Sequence, residues 1–109
     1  MSHHSNPKTL EVKRLSNKEL RQKFNDGRFW ERAKTGELSK VILSRHIPYS
    51  SNEPIGTESQ IVSLRDSNDE EVARVHIYLR PDGTFGGSSK PDPKIVLEGN
   101  TLYIQEKKH

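Results

Sequence analysis

Val72-Ala73-Arg74-Val75-His76-Ile77-Tyr78-Leu79-Arg80 decides how the rest of the chain is built. Ala73, Val75, Ile77 and Leu79 alternate with Arg74, His76, Tyr78 and Arg80. Side chains leave a β-strand alternately from its two faces, so this pattern predicts a strand with one apolar and one polar face. The apolar face belongs to a core. The polar face carries an imidazole, a phenol and two guanidinium groups, about 7 Å apart at each two-residue step.

Outward from this strand the period of two continues. Gln60–Arg65 reads as a strand, and Asp66–Asp69 as the turn that follows it. Pro81-Asp82-Gly83 makes a turn, because Pro fixes φ and Gly accepts positive φ. Residues 84–93 are rich in Gly and Pro and read as a loop. Ile95–Leu97 and Leu102–Gln105 flank Gly99-Asn100, a hairpin signal. The second half therefore predicts an antiparallel meander.

The first half has helical punctuation. Ser16-Asn17-Lys18-Glu19 is a capping box, with Leu15 before it as a hydrophobic staple and Leu20 and Phe24 on one helical face. Asn25-Asp26-Gly27 predicts a stop with Gly27 in the left-handed region. A second short helix is expected over Arg28–Lys34, closed by Gly36, with Trp30 as a core anchor or a ligand-stacking ring. Val41-Ile42-Leu43 fits either a helix or a strand. Residues 44–58 form a long loop, the kind that often carries binding groups. The expected architecture is an α+β fold, with short N-terminal helices packed on one face of a mainly antiparallel sheet of about four strands. A flexible polar arm, residues 1–14, precedes a single α+β domain, residues 15–109.

Composition narrows the function. The 109 residues are 29% hydrophobic and 30% charged, so the core is small and a homodimer or a protein partner is a live expectation. A sheet edge near Gln60–Arg65 or Leu102–Gln105 would suit a protein partner. There is no cysteine, which excludes disulfides, thiol catalysis and thiolate-bound metals and favours a reducing, cytoplasmic setting. No stretch reaches the roughly 20 apolar residues of a membrane helix, and Met1–Pro7 has no signal-peptide character. His3 and His4 read as part of a polar tail rather than a metal site. The net charge of +3 is unevenly spread: residues 1–36 hold nine Lys/Arg against four Asp/Glu, and the remainder nine against eleven. The basic third suits either a solvated helix face or the approach of nucleic acid.

Candidate site residues gather on the strand and loop from His76 to Lys94. Tyr78, Arg80 and Arg74 can hold an anionic ligand, and Ser88, Lys90 and Lys94 follow in the loop. Arg45 and His46 form a second group. If the loop at His46 folds beside the strand, His46 and His76 make a proton-transfer pair for metal-independent RNA cleavage, with Arg or Lys stabilising the phosphorane. An RNA-phosphate-binding domain, a ribonuclease and a protein-interaction module are thus the competing expectations, and none calls for a cofactor or a metal. Lys90 is followed by Pro-Asp-Pro rather than by a helix, so the Gly-rich loop is not a nucleotide P-loop. Asp66, Asp69, Glu70 and Glu71 lack the spacing of a calcium loop.

The segment His76-x-Tyr78-x-Arg80-Pro81-Asp82-Gly83-x-x-Gly86-x-Ser88-x-x-Pro91-Asp92-Pro93-Lys94 resembles one found in small bacterial proteins of uncharacterised activity. It spans 19 of the 109 residues, about a sixth of the chain. The likeness implies a bacterial or phage source. More loosely, helices followed by an antiparallel sheet resemble compact bacterial ribonuclease toxins of the barnase and RelE type.

Overall fold

The computed structural model describes residues 10–48, 52–87 and 90–106. The element order is β1 (Glu11–Leu15), α1 (Asn17–Asp26), α2 (Phe29–Lys34), β2 (Ser39–His46), β3 (Glu58–Arg65), β4 (Glu71–Leu79), β5 (Asp92–Glu98) and β6 (Thr101–Gln105). All six strands join one sheet in the order β1-β6-β5-β4-β3-β2. Strands β2 to β6 run as an antiparallel meander, and β1 adds to β6 in parallel.

This corrects the expected architecture of short helices packed on a four-stranded sheet. The structure is mostly sheet, six-stranded and mixed, with helices of only ten and six residues. The sequence pattern leaves two strands undecided, both at the edges: it offers only a short strand near Leu10-Glu11-Val12 within the arm and a helix or a strand at Val41-Ile42-Leu43. β1 is drawn from the polar segment read as an arm, and all but its final residue are exposed. β2 contains Val41-Ile42-Leu43 and is exposed along its whole length. Its pairing with β3 also slips between Ile42 and Ser44, which breaks the period of two. Residues without a buried face show no alternation, so these strands were invisible to periodicity. The edges also lie elsewhere than expected: β3 is paired by β2 and β4, and β6 by β1 and β5.

The helix cap is as the sequence predicts. Ser16 Oγ accepts the Glu19 N–H at 3.2 Å, and Glu19 Oε1 accepts the Ser16 N–H at 3.1 Å. The helix stop differs. Gly27 is right-handed (φ −79°), and Arg28 takes the left-handed turn (φ 53°). Glycine is needed at 27 for space, because a Cβ there would fall on the Phe29 ring.

The core joins the helices to the sheet. Leu20 and Phe24 of α1, Phe29 and Ala33 of α2, and Leu38 form one cluster with Val62, Leu64, Ala73, Val75, Ile77 and Val96. Every second residue of β4 from Ala73 to Ile77 is buried, as the alternation requires. The intervening residues Arg74, His76 and Tyr78 stay half-buried. No helix among the described residues is long and apolar enough to cross a membrane.

Candidate anion-binding depression

The polar face of β4 is organised by its neighbours. Ser59 of β3 lies opposite Tyr78, and its hydroxyl is 2.7 Å from His76 Nε2. The His76 and Tyr78 rings meet edge to face with centroids 4.7 Å apart. Burial pushes the His76 pKa below the ordinary imidazole value. The positive charges of Lys94 and His46 add to that push, and Asp92 opposes it. These surroundings favour the neutral form of the His76 imidazole over the charged one.

The two arginines of this face are already engaged. Arg74 binds Glu71 through two hydrogen bonds, Nε at 3.0 Å and Nη2 at 2.7 Å. Arg80 Nε donates to Glu53 Oε1 at 2.6 Å, and the other Glu53 oxygen accepts the Gly87 N–H at 3.0 Å. These bonds hold the Glu53 carboxyl below its usual pKa, Arg80 contributing most and Gly87 next.

Glu53 belongs to the connection between β2 and β3, so this carboxylate latches that connection onto the one after β4. The same contact explains much of the Gly- and Pro-rich motif. Gly86 is buried beneath Glu53, and a Cβ there would overlap its carboxylate. Asp82 Oδ1 accepts the Thr84 N–H and hydroxyl at 2.9 and 2.6 Å. Gly83 takes φ +88°. Phe85 bridges back to Leu79, and the Gly86 N–H reaches Tyr78 O at 2.8 Å. The motif therefore builds a short, tightly pinned hairpin extension of β4.

Beside that extension β5 diverges, and a depression of about 550 Å³ opens between α1, β4 and the start of β5. Arg21, Lys90, Lys94 and His76 line it, together with Tyr78, Asn17 and the Gly86-Gly87 backbone. Among the described residues Asp92 is the one acidic side chain of the lining. Its carboxylate bridges two of the cations, with Arg21 Nη2 at 3.2 Å from Oδ1 and Lys94 Nζ at 2.9 Å from Oδ2. Lys94 also donates to Gln105 Oε1 at 3.5 Å, and the Gln105 amide in turn donates to Asn17.

Of the residues singled out from sequence, His76, Tyr78, Lys90 and Lys94 meet at this depression. Arg74 and Arg80 lie nearby as partners of Glu71 and Glu53. His46 ends β2 opposite Ser59, on the same face as Tyr78, but it does not line the depression. Arg45 is its strand neighbour and so leaves from the other face. Ser88, His3 and His4 lie outside the described residues. Four side chains were missed: Asn17, Arg21 and Asp92 in the lining, and Ser59 beside His76. Arg21 follows the buried Leu20 on a helix whose packing direction the sequence does not give. Among the described residues no group of three or more His, Asp or Glu side chains is placed to hold a metal ion. Comparison with protein-family models, with curated proteins and with solved structures finds no match to this chain.

Proposed function

We propose that this protein binds the phosphate groups of RNA, with the depression between α1, β4 and β5 as the phosphate site. The observation that carries this reading is charge. Arg21 and Lys94 share one carboxylate, Asp92, and Lys90 lines the same depression, in which Asp92 is the one acidic side chain among the described residues. One carboxylate shared by Arg21 and Lys94 neutralises only part of their combined charge, so this pair favours an anion. Asp92 orders Arg21 and Lys94 before any ligand arrives. The basic helical third adds long-range attraction for a polyanion.

His76 enters as a neutral hydrogen-bonding group rather than a fourth cation. Tyr78 closes the site beside it. Arg74 and Arg80 serve the scaffold.

The test is binding of end-labelled single-stranded RNA, followed by anisotropy from low to moderate salt. Each phosphate neutralised contributes a slope of about −0.7 in log K against log salt, so a site engaging two phosphates gives a slope of roughly −1.4. Lys94→Gln should weaken binding and flatten that slope by roughly 0.7. Binding that ignores salt, or a Lys94→Gln protein with unchanged affinity and slope, would sink the proposal. A denaturing gel run beside it reads cleavage. Strand scission that disappears in His76→Ala would make the same site that of a ribonuclease.

A further inference from the structure

A second depression, of about 620 Å³, adjoins the first, and Arg21 and Lys90 line both. Its character is different. Trp30 and Phe85 contribute aromatic rings, with centroids 5.6 Å apart and planes at 69°. Arg28 and Lys34 supply positive charge at its rim, against Glu31. Trp30 packs against the core yet remains partly exposed. The Lys40 ammonium lies 5.5 Å from its ring centroid, so its surroundings are cationic as well as apolar.

Phe85, like Trp30, packs against the core while staying partly exposed, so the depression presents both aromatic rings and cations. A nucleobase site needs both: π-faces for stacking, and positive charge for the phosphates on either side of the base. Resting on the phosphate reading above, we infer that the Trp30–Phe85 depression is a base-stacking subsite. The two depressions then form one continuous groove for single-stranded RNA. A base stacks on the Trp30–Phe85 pair, its adjoining phosphate lies between Arg21 and Lys90, and the next phosphate reaches Lys94. Duplex RNA fits this groove poorly, because its bases are already stacked on one another.

Trp30 is the only tryptophan of the chain, so indole emission reports on this subsite alone. The experiment titrates the intact protein with labelled oligouridylate and with an abasic ribose–phosphate oligomer of equal length, following anisotropy and indole emission together. The two ligands carry the same phosphates and differ only in bases. The oligouridylate should bind roughly 5- to 150-fold more tightly, the range that loss of one stacked base gives, and should quench the indole. The abasic oligomer should bind with salt dependence and leave emission unchanged. Trp30→Leu, which keeps apolar volume but removes the π-face, should lower oligouridylate affinity to the abasic level. Equal affinities without quenching overturn the stacking subsite and leave the phosphate site standing. Failure of both oligomers to bind at low salt overturns the phosphate site and the subsite together. If Trp30→Leu does not fold, the two ligands on the wild-type protein still decide the matter.

Discussion

Gly27→Ala offers a test in which two physical effects pull in opposite directions. Gly27 has φ −79° and ψ −6°, a conformation any residue adopts. By backbone entropy alone, alanine at such a position stabilises a protein by about 0.4–1 kcal/mol. The packing says otherwise. A Cβ on residue 27 would place three carbons of the Phe29 ring, Cδ2, Cε2 and Cζ, inside 3.0 Å. That ring has nowhere to go. It is 4% exposed, it stacks on Phe24 at 5.7 Å, and the Arg32 guanidinium lies 5.3 Å from its centroid. Forcing an extra methyl group into such a site costs about 1–3 kcal/mol. The clash outweighs the entropy gain, leaving a net loss on the order of 1–2 kcal/mol. In a domain of this size that lowers Tm by roughly 4–8 °C. Thermal and urea unfolding by circular dichroism measure it directly. Phe29→Leu in the Gly27→Ala background should recover part of the loss, giving a coupling energy that two independent sites would not show. A Gly27→Ala protein that melts at or above the wild-type temperature would refute the packing argument and leave only the backbone term.

The His76 environment predicts a pH dependence of defined sign. Its folded pKa lies below the unfolded value, so the unfolded chain binds more protons, and His76 contributes stability that is full above about pH 6.5 and is lost as pH falls through the folded pKa. NMR titration should place the imidazole below the ordinary value, and His76→Gln should flatten this part of the Tm–pH curve; a His76 that titrates at or above the ordinary value contradicts the burial argument. Gly86→Ala should displace Glu53 from Arg80 and Gly87, seen as faster amide exchange at Gly87 and across residues 52–57. Unchanged exchange there would mean that the latch does not hold the connection.

Legibility followed burial. The alternation from Ala73 to Ile77 was readable because one face of β4 is fully enclosed, and Ser16 with Glu19 was readable because a capping box is a local exchange of hydrogen bonds. Val41, Ile42 and Leu43 are 37–43% exposed on an outer strand, so nothing in their order distinguishes strand from helix. The glycines of the motif were legible as turn-formers only in part. Gly83 has the positive φ expected of a turn, whereas Gly86 is required by a carboxylate from another connection. The same limit applied to the site. His76, Tyr78 and Lys94 announced themselves by type and spacing within one segment. Arg21 and Ser59 reach the site from other elements, and only the pairing of β3 with β4 and the docking of α1 put them there.

The parallel seam between β1 and β6 has a consequence for the order of folding. Glu11 faces Thr101, and the Glu106 N–H returns to Leu15 O at 2.7 Å, so β1 pairs with a strand roughly ninety residues downstream. The meander from β2 to β6 can zip hairpin by hairpin through near neighbours, whereas this seam waits on closure of a loop that spans both helices and the four strands β2 to β5. During synthesis β1 therefore has no place on the sheet until β6 has left the ribosome. Its exposed, charged sequence, with Glu11, Lys13 and Arg14 alternating around few apolar groups, suits a strand that must remain in water for that interval without joining another chain.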